Sequence, residues 1–378
     1  MTIDARADGG AGVAFVIFFG AGGHSDVERH LDRVRVAIGS GVIRRAVAAG
    51  FGPLIAVTAD PIAESAFSGA GARVESPRTD PFHFGTELAR VVTQAGSGRV
   101  CAIGAGAGAL LTVDDLGAIR DELERAEALV LSNNYYSADL VGLTPASALG
   151  AIALPATDNP LARLLHLQAG LPSRQLPRSA ATLLDVDTPP DATVLLRHPH
   201  CPPELLEVGA WEPQLGARVD ALMTLVTTPE QELIVAGRVG APVWSYLESQ
   251  TACRVRMLAE ERGMQAAGRD VSGRARTALG FLYQLIGPRE FFARLAELGD
   301  GMLFDSRVLF AHLGWRLGPA ERFASDLFSL EGITHPGLRD FTGAAAEAGF
   351  PLLLGGQTLV SGVLWTMVDA AWAGHPEP

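Results

Sequence analysis

The chain has 378 residues, of which 48% are hydrophobic and 19% charged, and its formal net charge is −12. Single cores stop growing at about 250–300 residues, so this length predicts two domains, and the composition is that of a globular rather than a disordered chain. The acidic balance excludes general nucleic-acid binding, which needs a basic surface. All thirty basic residues are arginine, so any chemistry that needs a lysine is excluded or must use arginine instead. The three cysteines, Cys101, Cys201 and Cys253, are odd in number and widely spaced. They suggest neither a disulfide framework nor a CxxC zinc site, and they fit a reducing cytoplasm. Residues 1–12 lack the pattern of a secretory signal and read as a disordered lead-in.

Val13–Phe19 is an apolar, β-branched and aromatic run, long enough for a buried strand and too short for a membrane span. Gly20-Ala21-Gly22-Gly23-His24-Ser25 breaks it. A strand followed by a Gly-rich turn can present backbone N–H groups to a phosphate. Downstream, the pattern predicts a helix over 38–50, a strand over 54–58, a short helix over 62–67 and a strand over 72–75. A helix over 84–95 and a strand over 100–103 follow. A second Gly-rich loop then contains Gly104, Gly106 and Gly108. A helix over 113–125, with Thr112 as N-cap, precedes strands over 128–131 and 140–143. Last come a helix over 159–169 and a strand over 181–185. This alternation predicts an α/β domain over 13–196, with a mainly parallel, doubly wound sheet and helices on both faces. The prolines of 197–203 read as a linker. Residues 204–378 read as a mainly helical domain, with a small β-α-β unit over 232–258 and a strand–turn–buried helix over 350–372. No stretch reads as a membrane span.

Ligands of open α/β sheets bind beyond the carboxyl ends of the strands. Three stretches are expected there: Gly20–Ser25, Gly104–Gly108 and Asp185-Val186-Asp187-Thr188-Pro189. Arg29 and Arg33 follow the first loop and could neutralise phosphate charge. Asp185 and Asp187 could together hold a hard cation, or could simply form an acidic turn capping the helix that starts at Pro189. Asn133 and Asn134 are candidate ligand contacts, although turns favour the same residues. Gly104-x-Gly106-x-x-Ala109 matches a dinucleotide fingerprint, but Ser132-Asn133-Asn134 stands where the ribose-binding acid is expected. His198, His200 and Cys201 are zinc-ligand types in one short cluster with no distant pair. Asp305 and His312 would share a helix face, where a structural role is the simpler reading. Gly355-Gly356-Gln357 is one more candidate ligand loop.

The order of strand, Gly-Gly loop, helix and the Val57-Thr58-Ala59-Asp60 strand end, closing on Asp185-Val186-Asp187-Thr188-Pro189, resembles the GT-A-type nucleotidyltransferases. The similar groups are the molybdenum cofactor guanylyltransferases and 2-phospholactate guanylyltransferases, and the resemblance covers about residues 13–195. It implies an NTP substrate, Mg²⁺ held by Asp185 and Asp187, and phosphates cradled by Gly20–Ser25. A small phosphorylated or hydroxylated acceptor would attack the α-phosphate and release pyrophosphate. Two features depart from the pattern: no lysine follows the first loop, and Gly104–Leu111 contains no acid where that family places a metal-binding aspartate. The alternative is a catalytically degenerate nucleotide- or phosphate-binding regulatory protein on the same fold. The expected setting is cytoplasmic, and a homo-oligomer is compatible with the sequence.

Overall fold

A computed structural model describes residues 12–209, 211 and 213–373. The proposed lead-in lies almost wholly outside these residues. The chain forms two compact units, one of residues 1–21 and 33–183, the other of residues 22–32 and 184–378. The boundary therefore falls at Leu183, not in the expected linker at 197–203, which lies inside the second unit. The α-helix that begins at Asp26 is assigned to both units, its first turns to the second and its remainder to the first.

The first unit runs β1 (Ala14–Phe18), α1 (Asp26–Ala48), β2 (Leu54–Val57), α2 (Pro61–Gly69), β3 (Arg73–Glu75), α3 (Phe84–Ala95), β4 (Val100–Gly104) and α4 (Val113–Arg125). It continues with β5 (Leu129–Ser132), β6 (Leu140–Thr144), α5 (Leu161–Ala169), β7 (Ser173–Gln175) and α6 (Ala180–Leu183). Seven strands form one sheet in the order β3-β2-β1-β4-β6-β5-β7. Only β6 runs antiparallel to its neighbours. Alternate residues of a strand face opposite sides, and both sides are buried here. Ala14, Val16, Val100 and Ala102 pack with Leu88 and Val91 of α3 and Leu161 and Leu165 of α5. On the other face, Gly39 of α1 lies within contact of Ile17 and of Phe67 from α2. The result is the expected three-layer, mainly parallel α/β architecture.

Two details differ from the sequence expectation. Helix α1 begins twelve residues earlier than predicted, and so takes in Arg29 and Arg33. Its start is set by Ser25 and Glu28 acting reciprocally: Ser25 Oγ accepts from the Glu28 amide, and the Glu28 carboxylate accepts from the Ser25 amide. Residues 181–185 do not form a sheet strand. They contribute to α6 and to an isolated bridge at Asp185. Ser179 and Thr182 exchange side-chain and backbone hydrogen bonds that favour this helical turn.

The second unit contains α7 (Pro189–Leu195), α8 (Pro203–Val208), α9 (Pro213–Val226), β8 (Glu232–Gly237), α10 (Ala241–Gln250), β9 (Arg254–Ala259) and α11 (Ala278–Ala296). After these come β10 (Gly301–Asp305), α12 (Ser306–His312), α13 (Pro319–Asp326), α14 (Pro336–Ala346), β11 (Leu352–Gly355) and α15 (Gly362–Trp372). Helices predominate, as expected, but they surround a second sheet of four parallel strands in the order β11-β10-β8-β9. Ile234, Ala236, Met302, Phe304, Leu352 and Leu354 bury one face of it against α11 and α14. Strand β11 is that of the expected strand–turn–helix, whereas β10 sits in an apolar stretch without alternation, which periodicity alone does not separate from buried helix. Among the described residues, no helix is long and apolar enough to cross a membrane.

Candidate functional site

The first sheet has a topological switch point. From β1 the chain builds outward through β2 and β3 on one side, then returns to place β4 on the other. Helices leaving adjacent strands in opposite directions open a crevice at such a point. A cleft of about 530 Å³ lies there, lined by the ends of β1 (Phe18 to Ala21), β2 (Val57, Ala59, Asp60) and β4 (Gly104). Pro77, Phe82, Phe84 and residues 156–158 complete its walls. The ring of Phe18 lies 4.8 Å from that of Phe84 and 6.2 Å from that of Phe82, which makes an aromatic wall. A Cβ added at Gly20 or Gly104 would meet nothing within 4 Å. The backbone at both positions therefore borders open space.

The wall carried by residues 76–83 is held by a buried acid. Glu87, fully buried, accepts hydrogen bonds at 2.7 Å from the amides of Arg78 and Thr79 and at 2.8 Å from Arg90 Nε. Burial pushes its carboxyl up, but these donors outweigh it and hold the pKa below the ordinary glutamate value. Across the cleft, the Phe84 and Gly85 amides donate to the carbonyls of Ala156 and Pro155, fixing the 156–158 wall. Asp60 caps α2 by accepting from the Ala63 amide at 2.8 Å. Among the described residues, the charged ones that line the cleft are Asp60 and Asp158.

The predicted site residues are divided between the two units. Gly20, Ala21 and Gly104 line the cleft. Gly22, Gly23, His24 and Ser25 belong with the second unit, and the amides of His24 and Ser25 donate to the Glu28 carboxylate at 3.3 and 3.0 Å. These are two of the donors expected to meet a phosphate, and a side chain of the protein already occupies them. Arg29 pairs with Asp26 and donates to the His24 carbonyl, while Arg33 is exposed on α1. Gly106 and Gly108 are buried in the turn after β4, where Arg45 donates to the carbonyls of Gly108 and Ala109 at 3.1 Å. The Asn133 side chain bridges the β5–β6 connection by accepting from the Asp139 and Leu140 amides and donating to the Asp139 carboxylate. Asn134 accepts from the Tyr136 amide in a local turn. Both asparagines therefore have the turn role.

Asp185 and Asp187 lie in the second unit, and Asp187 is exposed. The Asp187 and Thr188 amides donate to Asp191 Oδ2 at 3.0 and 2.8 Å, so Asp191 organises the start of α7. The negative charge of Asp187 acts on the Arg238 guanidinium. Mg²⁺ held by one or two carboxylates is completed by substrate phosphates, and two of the loop amides expected to hold those phosphates, those of His24 and Ser25, serve Glu28. Among the described residues, no three His, Cys, Asp or Glu side chains are placed to hold a metal ion. The residues present thus do not fit the expected Mg²⁺ site. The His198–Cys201 cluster is a turn: His198 Nδ1 accepts from the His200 amide, and burial followed by Glu204 pushes the Cys201 thiol up to about 11.

Sequence reasoning missed Phe82, Phe84, Pro77 and residues 156–158. The Pro-rich, aromatic loop after a strand was the available signal. It reads as a plain connection until the fold brings it against β1.

No family model matches the chain, and no curated protein matches it by sequence. Solved structures similar to part of it include a CMP:2-keto-3-deoxy-manno-octonic acid synthetase complexed with CTP, at 16% identity, covering 47% of this chain and 94% of that one, with a TM-score of 0.35. A nucleotidyl transferase from Methanothermobacter is 20% identical over 46% of this chain and 91% of its own, with a TM-score of 0.35. A cytidylyltransferase from Leptospira borgpetersenii is 13% identical over 54% of this chain and 95% of its own, with a TM-score of 0.40.

Proposed function

We propose that the first unit is a nucleotide-binding domain of nucleotidyltransferase-like architecture, with the nucleoside part of its ligand in the cleft at the carboxyl ends of β1, β2 and β4. The observation that carries this reading is the cleft itself, an aromatic and glycine-walled crevice at the switch point of a mainly parallel sheet. A planar base gains from stacking on Phe82 or Phe84, while the open backbone at Gly20 and Gly104 gives it room. Asp60 and Asp158 offer acceptors for hydroxyl or amino donors. The charged part of a nucleotide finds no cation in the lining.

Binding without metal-dependent transfer is therefore the reading these residues favour over NMP transfer to a small acceptor. In the transfer reaction an acceptor oxygen would bond to the α-phosphorus as the bond to pyrophosphate breaks, and the developing charge would need counter-charges. The two readings separate in one experiment. Thermal unfolding of the full chain is followed with uncharged nucleosides and with each NTP, with and without chelator. A ligand at 100 times its Kd should stabilise by about 2.7 kcal/mol. Stabilisation by a nucleoside that survives chelation supports the binding reading. Pyrophosphate release that requires a divalent cation supports transfer, and no response to any of these ligands contradicts both.

A further inference from the structure

The second sheet has a switch point of its own. Strand β8 has β9 on one side and β10, then β11, on the other, so its crevice lies beyond the carboxyl ends of β8 and β10. Arg238 directly follows β8. Asp305, Ser306 and Arg307 form the corner between β10 and α12. Arg322 and Asp326 lie four residues apart on α13, on one helix face.

Two ion pairs are built into this crevice. Arg238 donates through Nε to Asp305 Oδ2 at 2.6 Å and through Nη2 to Oδ1 at 3.0 Å, with 4% and 0% of the two side chains exposed. Arg307 donates through Nη1 to Asp326 Oδ1 at 2.9 Å and through Nη2 to Oδ2, again almost wholly buried. Each of these arginines is matched by its own carboxylate. Arg322 is not. Its Nε is buried with no hydrogen-bond partner, and both Asp326 oxygens already accept from Arg307. The remaining acid near Arg322 is Glu28, whose Oε2 accepts from the His24 and Ser25 amides and the Ser25 hydroxyl. Burial, and then repulsion from Arg307, hold the Arg322 guanidinium below its ordinary pKa. Asp187 and Asp270 act on Arg238. Arg322 is half-buried, and a buried Nε without an acceptor is costly, while the planar fork of a guanidinium suits an oxyanion.

We propose that Arg322, beside the Arg238–Asp305 and Arg307–Asp326 pairs at the carboxyl-end crevice of β8 and β10, anchors a second ligand site, which takes the phosphate or carboxylate group of a small molecule. The two paired arginines are positioning residues that shape the crevice, and Gly355-Gly356, at the end of the next strand, lies beside the Ser306 hydroxyl. This inference does not rest on the cleft of the first unit.

The test uses the full chain. Thermal unfolding and calorimetric titration are run with inorganic phosphate and with succinate, each against chloride at matched ionic strength. One of the two anions should stabilise beyond chloride at millimolar concentration, and whichever does so names the source of the oxyanion. Arg322→Gln should weaken that binding about tenfold or more, while Arg289→Gln, on the exposed surface, should leave it unchanged. If Arg322→Gln does not fold, Arg322→Lys keeps the charge but loses the fork, and should bind more weakly than wild type. No stabilisation by either anion, wild-type affinity in the Arg322 variant, or an equal loss in the Arg289 variant would overturn the proposal.

Discussion

At the scale of single residues, buried charge decides most. Asp191 is fully buried, and its Oδ1 has no hydrogen-bond partner. Burial, followed by repulsion from Asp187, pushes its pKa up to about 7. An aspartate titrates near 3.9 when unfolded. Between that value and about 7 the folded state therefore binds more protons than the unfolded one, and stability must fall as pH rises through this window. Replacing it by asparagine should flatten this part of a denaturant-midpoint profile; an unchanged slope would show that Asp191 ionises normally. The Arg238–Asp305 pair gives a second expectation. Removing one partner by Asp305→Ala strands a buried guanidinium and should cost about 3–5 kcal/mol, measured by urea unfolding. Replacing both partners by apolar residues of similar volume should cost much less. Gly237 belongs to the same design: its φ is +126°, and a Cβ there would come within 2.4 Å of the Asp305 Cβ. None of this pairing was legible in the sequence. Asp305 and Arg307 stand out as charges in an apolar stretch, but their partners are 67 and 19 positions away.

At the scale of elements, the loop between β1 and α1 shows how a correct local reading can mislead about chemistry. The strand and the glycines were readable, but the helix was expected only over 38–50 and begins at Asp26. The capping relation of Ser25 with Glu28 also follows a known spacing, yet it turns the exposed amides inward to a carboxylate. The loop before α3 shows the reverse. Residues 76–83 carry no motif, yet Glu87 ties them into the cleft wall. Glu87→Ala would remove a buried carboxylate that accepts from the Arg78 and Thr79 amides and Arg90 Nε, and should destabilise by about 1–3 kcal/mol. Because the folded Glu87 pKa is depressed, its contribution is present above the unfolded value and is lost as pH falls through the folded one. Wild type and variant should therefore converge in acid, and a constant difference down to low pH would contradict the assignment. The Asp185→Ala, Asp187→Ala double variant should leave NTP affinity unchanged. A loss above about tenfold in titration calorimetry would restore the metal reading.

At the scale of the whole molecule, the chain builds two sheets, each with a switch point. The first sheet was legible because β-α alternation with glycine and proline punctuation repeats over its length. The β8-α10-β9 unit and the final strand–turn–helix were legible for the same reason. The full second sheet was not, because β10 lies in an apolar run that a helix uses equally well, and because strand order is a long-range property. The boundary at Leu183 was missed because the prolines of 197–203 serve turns and helix starts inside a unit. The central claim is that the β1–β2–β4 cleft binds a nucleoside moiety, and its most direct test is titration of nucleosides into wild type and Gly104→Val. The added side chain enters open space at the cleft wall, so the variant should fold with wild-type stability and lose nucleoside-dependent stabilisation. A variant that folds normally and binds nucleosides as wild type does would contradict the account.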